Sequence, residues 1–251
     1  MIMIDKFMRD PLGNTLAVIV LIALIVTWFT SLILTLRDVP VRTNKGWYAW
    51  LLPIFTLLGI PGTLDLLRTG GITFLFAAIT FVVFVLNIVI PILHMRGKSS
   101  YTLVTDWYKW AIPIAVVGGL AVSGYLTFIE STGGDVMCGP LLEGCGDVQN
   151  SPYAKLFGVL PVGQLGFIGN IAILIAWAAW QFGPVSIKKM AVLSMWGMCI
   201  FGVLFSTYLT FLEPFVIGAT CMWCISSAVI MIILLLASTP AAQQAFAIAD
   251  D

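Results

Sequence analysis

Long apolar runs constrain this chain more than any other feature of its 251 residues. Seven stretches, near 15–36, 47–64, 71–93, 110–129, 161–181, 190–212 and 219–237, contain no charged residue. Each can cross ~30 Å of hydrocarbon as a helix, which takes about 20 residues. Backbone N–H and C=O groups inside a bilayer must find partners within the protein, so such runs fold as helices. Pro53, Pro61 and Pro214 interrupt or border the second and last runs and leave their ends least defined. The expected fold class is an all-α polytopic membrane protein with about seven transmembrane helices. A water-facing globule is excluded: 60% of the residues are hydrophobic and 10% charged, against about 25% charged in soluble domains. No cleaved signal peptide is expected, because the run after Lys6 and Arg9 is too long and lacks a small-x-small cleavage site. Twelve basic residues, scattered over many loops and balanced by twelve acids, offer no nucleic-acid surface.

Orientation follows from the loops that collect Lys and Arg. Arg37, Arg42 and Lys45 follow the first run. Arg96, Lys98 and Lys109 lie between the third and fourth, and Lys188 and Lys189 between the fifth and sixth. These loops are expected to be cytoplasmic, which puts the N-terminus out and the C-terminus in. Cys138, Cys145, Cys221 and Cys224 then share the extracytoplasmic side.

Cys221-Met-Trp-Cys224 opens the last run. At i and i+3 on a helix the two Cα atoms fall about 5–6 Å apart, within disulfide reach. Amides at a helix N-terminus favour a thiolate, and Thr220 can cap that turn. A structural bridge across so short a loop would contribute little, so reactive thiols are the better reading. Cys138 and Cys145 stand among Gly133, Gly134, Gly139, Gly144 and Gly146. Such a loop can be stapled by a disulfide, or it can swing a thiol between partners. Exchange proceeds by attack of one sulfur on another, so a fixed pair beside a movable pair suits a relay. Cys199, alone in mid-span, reads as a small buried hydrophobe.

The octets Ser123-Gly-Tyr-Leu-Thr-Phe-Ile-Glu130 and Ser206-Thr-Tyr-Leu-Thr-Phe-Leu-Glu213 agree at six of eight positions, and Gly119 and Gly202 extend the match. Each glutamate precedes the first cysteine of a pair by eight residues. This favours a duplication in which runs four–five and six–seven are parallel repeats of a four-helix bundle, with tyrosine at the interface and glutamate at the water's edge. Residues 151–158 read as a short interfacial helix, with Ser151 as N-cap, Pro152 at its first position and Gly158 at its end.

An outer-loop cysteine pair, Ser151-Pro-Tyr-Ala154, Gly158-Val-Leu-Pro-Val162, Ser206-Thr-Tyr-Leu209 and a closing C-x-x-C follow in that order. Over roughly 108–238 this resembles the vitamin K epoxide reductase family. The resemblance implies that the last four helices form a bundle around a membrane quinone of ubiquinone or menaquinone type. It implies that Cys224 is the sulfur beside the quinone and Cys221 its partner, that Ser151 stands near the headgroup, and that Cys138/Cys145 shuttles electrons from a secreted thioredoxin-like protein. The animal enzymes carry a tyrosine four residues after the second C-x-x-C cysteine; here that residue is Ala228, which favours plain quinone reduction over epoxide reduction. With no thioredoxin-like domain attached, the partner is expected in trans. The expected organisation is a three-span region over 1–100, a catalytic domain over 101–240 and a short cytoplasmic tail over 241–251. The expected function is oxidation of that partner and disulfide-bond formation in the cell (inner or plasma) membrane.

Three rivals are weaker. The other quinone-coupled, four-helix disulfide generator of bacterial envelopes places its C-x-x-C after its first span. A metal-binding protein could use four cysteines as a zinc site, but the compartment is oxidising and the one histidine, His94, falls on the cytoplasmic side, so no metal is expected. A transporter with structural cysteines would need ionisable or broken-helix features within the membrane, and the charges fall at span ends or beyond.

Overall fold

The computed structural model describes residues 2–36, 107–138, 144–156 and 158–247, with a few positions between 75 and 82. The expected spans at 47–64 and 71–93 lie almost wholly outside the described residues, as do His94 and residues 139–143 of the glycine-rich loop. In chain order the elements are α1 (Ile2–Phe7), α2 (Pro11–Leu36), α3 (Trp107–Thr132), α4 (Cys145–Gln149), a 3-10 turn (Pro152–Ala154), β1 (Lys155–Leu156), β2 (Leu160–Pro161), α5 (Val162–Phe182), α6 (Val185–Leu212), a π-helical turn (Glu213–Ile217) and α7 (Met222–Ala247).

Among the described residues five helices are long and apolar enough to cross a membrane: Pro11–Leu36, Tyr108–Thr132, Val162–Phe182, Val185–Ile217 and Met222–Phe246. They coincide with the first, fourth, fifth, sixth and seventh expected spans, and make the chain a helical membrane protein. The last helix runs further than expected. It continues through Pro240 to Ala247, and Ala241, Ala242 and Ala245, expected in a tail, are buried.

A helix that is apolar all round belongs in the interior, and α7 occupies it. Every residue from Ala228 to Ala242 is buried. Around it pack α3, α6 and α2, and α5 closes the bundle against α3 and α6. The outer faces of these helices expose Ile168, Ile175, Phe201 and Phe211, as lipid contact requires. The echoed glycines are both close-approach points to the next long helix. A Cβ at Gly119 would collide with the Asn170 carboxamide on α5, and one at Gly202 would stand 2.8 Å from Met231 Sδ on α7.

The first span is fastened to the bundle by polar contacts along its length. Ser31 Oγ and Thr239 Oγ1 lie 2.7 Å apart, Trp196 Nε1 donates to Ser31 Oγ at 3.0 Å, and Gln243 Nε2 donates to the Leu34 carbonyl at 2.7 Å. Such bonds between membrane helices contribute about 0.6 kcal/mol each on average. A further bond, from Thr220 Oγ1 to Asn14 Oδ1 at 2.9 Å, brings this span to the cysteine motif.

The segment 151–158 is not the expected helix. Only Pro152–Ala154 turns, as a single 3-10 turn, and Lys155–Leu156 then pairs antiparallel with Leu160–Pro161. Gly158, at φ +73°, serves the hairpin turn rather than a helix end. Ser151 Oγ makes no cap and donates back to the Val148 carbonyl at 2.7 Å.

Candidate active site

The site is assembled at the end of the bundle where α6 gives way to α7. Pro214 has no N–H to continue an α-helical ladder, and the chain widens there into the π-helical turn Glu213–Ile217. Gly218, at φ +81°, reverses it, with Gly218 N and Ala219 N donating to the Glu213 carbonyl at 2.7 and 3.2 Å. Lys6 of α1 donates its ammonium to the Val216 carbonyl, so the N-terminal helix braces the same turn. The result sets Cys221 immediately before the first residue of α7. Thr220 does not cap this helix as expected, because its hydroxyl is committed to Asn14. Instead Cys221 holds the capping position: its carbonyl accepts from Ile225 N at 3.0 Å, and its N–H donates to Glu213 Oε2 at 3.3 Å.

Cys221 is fully buried, Cys224 is half-buried, and both are free thiols. The Cys221 thiol is held below its ordinary value, chiefly by the hydrogen bond from the Cys224 thiol. Burial pushes it up, and the backbone N–H groups of Cys224 and Trp223 at the helix start lower it again. This is the thiolate-favouring setting that a helix N-terminus provides.

Cys224 lies in the wall of a cavity of about 520 Å³ between α3, α5, α6 and α7, within the ~300–1,000 Å³ range of small-molecule sites. Leu126, Ile173, Phe205 and Met231 contribute to its largely apolar lining, with Ser123 and Ser227 among the few hydroxyls. One turn after Cys224 it is Ser227 that lines the cavity, while Ala228 is buried in the core. A smaller chamber of about 40 Å³ shares Cys224, Leu126, Val162, Gly163 and Leu209 with the large one, and adds Ser151, Gln149, Glu130 and Glu213. Ser151 and Cys224, expected to share a binding site, line this one chamber.

Cys138 and Cys145 form a disulfide with Cα atoms 5.9 Å apart. Cys145 is buried at the start of α4, whereas Cys138 is partly exposed. Two contacts hold this loop on the C-x-x-C turn. Gly144 packs so closely that a Cβ there would stand 2.8 Å from both Ala219 Cβ and Thr220 N. Trp223, inside the C-x-x-C, donates Nε1 to the Met137 carbonyl at 3.1 Å, and its ring lies 4.4 Å from that of Tyr125, whose hydroxyl accepts from Met137 N at 3.1 Å. All four cysteines therefore gather at one end of the bundle. Cys199 is buried, as expected for a packing residue.

The sequence reading missed five contributors. Glu130 and Glu213, expected at the water's edge, line the chamber instead, and Glu213 is 2% exposed. Tyr125 and Trp223, which look like ordinary interface aromatics, clamp the loop. Asn14, unremarkable in an apolar run, takes the Thr220 hydroxyl. The one available signal was the echo itself, which marks both glutamates and Tyr125. Among the described residues no group of His, Cys, Asp and Glu is arranged to hold a metal ion.

The model of the vitamin K epoxide reductase family matches residues 110–239, the stretch that carries α3 to α7 and all four site cysteines. Over 115 residues the chain is 34% identical to the thiol-disulfide oxidoreductase LTO1 of Arabidopsis thaliana, a match covering 42% of this chain and 29% of that relative. The chain thus spans under a third of that relative's length. No solved structure matches. With its family motifs folded into one thiol-lined bundle, the chain belongs to the vitamin K epoxide reductase family.

Proposed function

We propose that this protein is a membrane thiol oxidoreductase that oxidises a thioredoxin-like protein in trans and passes the electrons to a membrane quinone. The observation that carries the reading is the placement of the C-x-x-C: Cys224 opens on an apolar cavity while the residue preceding Cys221 packs on the disulfide-bearing loop. The cavity fits a quinone by size and by its largely apolar lining, and the carboxyls of Glu130 and Glu213 line the chamber at the Cys224 end. A bound quinone supplies an acceptor for two electrons and two protons.

The residues divide the work by exposure. Cys138 is the sulfur that a partner thiolate can reach, and its attack releases Cys145. Cys145 follows Gly144, which packs on Thr220, the residue before Cys221. The partner's second thiol then frees Cys138, and the partner leaves oxidised. The Cys145 thiolate attacks the Cys221–Cys224 disulfide at Cys221, releasing Cys224, and Cys138 attacks Cys145 to re-form the loop disulfide and release Cys221. Cys221 stands at the start of the last helix, where backbone N–H groups favour a thiolate. Closure of the Cys221–Cys224 disulfide releases two electrons and two protons, which a bound quinone would accept, and completes the cycle. Ser151 and Gln149 line the headgroup end. Residues 101–240 form the catalytic domain, 1–100 a three-span membrane region whose first span packs on that domain, and 241–251 the C-terminal end. The positive loops favour a cell (inner or plasma) membrane location with the cysteines extracytoplasmic, N-terminus out and C-terminus in.

Single Cys221→Ser and Cys224→Ser variants should lose quinone reduction with every donor. Cys138→Ser and Cys145→Ser should lose it with reduced thioredoxin yet keep it with dithiothreitol. Activity retained in either C-x-x-C variant would refute the assignment, and equal loss with both donors in the loop variants would refute the shuttle.

A further inference from the structure

The thiol–disulfide exchange steps make no use of two carboxyl groups that line the small chamber with Cys224. Glu213 ends the echoed octet of α6 and accepts the Cys221 N–H through Oε2, and its carboxyl lines the same chamber as Cys224. Glu130 ends the octet of α3, and its Oε2 is buried without a hydrogen-bond partner among the described residues. Both line the small chamber with Cys224, Ser151 and Gln149, and no Lys or Arg lines it. Lys155 acts on Glu130 from outside. A carboxyl buried in a membrane bundle is expensive, and the Cys221 N–H alone would be as well served by a neutral amide.

The chemistry has a matching need. Closing the Cys221–Cys224 disulfide forms one S–S bond and breaks two S–H bonds, so two electrons and two protons leave the pair. A quinone that takes the electrons needs both protons to become a quinol. We propose that Glu213, with Glu130 across the chamber, is the proton relay of the reduced C-x-x-C pair, accepting the protons the thiols give up and handing them to the acceptor. The proposal rests on the quinone reading for the identity of that acceptor. Each octet then brings its terminal carboxyl to the chamber that Cys224 lines.

Glu213→Gln is the informative variant, because the amide oxygen keeps the bond from Cys221 N and loses only the proton site. Infrared difference spectra between dithiol and disulfide forms of quinone-free protein should show a carboxyl band that is missing in Glu213→Gln. Quinone reduction by the variant should fall about 100-fold in kcat with little change in KM, the scale of general acid–base catalysis. Glu213→Asp should recover part of it, and Glu130→Gln should slow the same step. Wild-type kcat in Glu213→Gln, or the absence of a Glu213-dependent band, overturns the relay. A Glu213-dependent band in a protein that reduces no quinone upholds proton exchange with the thiols and overturns the quinone reading instead.

Discussion

Gly144→Ala isolates the docking of the loop on the C-x-x-C turn. Gly144 has φ −79° and ψ 4°, values that alanine adopts freely, so the substitution adds no backbone strain. Its Cβ would stand 2.8 Å from Ala219 Cβ, 2.8 Å from Thr220 N and 3.0 Å from Thr220 O. Two of these neighbours are backbone atoms of the turn that sets Cys221, and they cannot rotate aside. Ordinary contact is about 3.5–4.0 Å, so α4 must withdraw by about 0.7–1.2 Å. Overpacking of this kind costs about 1–3 kcal/mol, and each 1.4 kcal/mol is tenfold in an equilibrium. The docked loop should thus be depleted about five- to hundredfold. In detergent with added quinone, turnover with reduced thioredoxin should fall by that factor, while turnover with dithiothreitol, which reaches the C-x-x-C directly, should stay near wild type. Wild-type turnover with thioredoxin would show that close packing of Gly144 on Thr220 has no part in transfer. Equal loss with both donors would mean that the turn itself had been displaced.

Two further substitutions probe the supports of the site. Trp223→Phe keeps the ring against Tyr125 but removes the bond to the Met137 carbonyl, about 1 kcal/mol; faster proteolysis near Met137 and a melting temperature lower by about 2–4 °C are expected. Asn14→Ala leaves the buried Thr220 hydroxyl without its acceptor, at about 1–3 kcal/mol. Thermal unfolding should drop by about 2–4 °C for each kcal/mol, with quinone reduction impaired although Asn14 lies outside the matched 110–239 stretch. An unchanged Tm would remove the first span from the support of the turn.

The long helices were legible because an uncharged run in a bilayer has one solution, and five of the expected spans stand where the apolar runs placed them. The cysteine motifs were legible because their spacing carries its own geometry. What eluded the sequence depends on packing between segments far apart in the chain. Asn14 meets Thr220 across 206 positions, and no local pattern announces such a pair. Thr220 looked like a helix cap because the competing acceptor on α2 was invisible. Glu213 looked like a surface residue because it follows an apolar run, yet the π-helical turn at Pro214 folds the chain back and buries it. The 151–158 helix is absent for a related reason: a glycine at 158 suits a helix end and a hairpin turn equally, and the pairing of Lys155 with Pro161 uses it for the turn.

The central claim is that electrons leave the dithiol form through Cys224 into a quinone. Protein reduced at both pairs, stripped of reductant and mixed anaerobically with a water-soluble quinone, should form disulfides and quinol in a one-to-one ratio. Cys224→Ser should form neither. Disulfide formation that proceeds without quinol, or quinol formation that survives Cys224→Ser, would contradict the account.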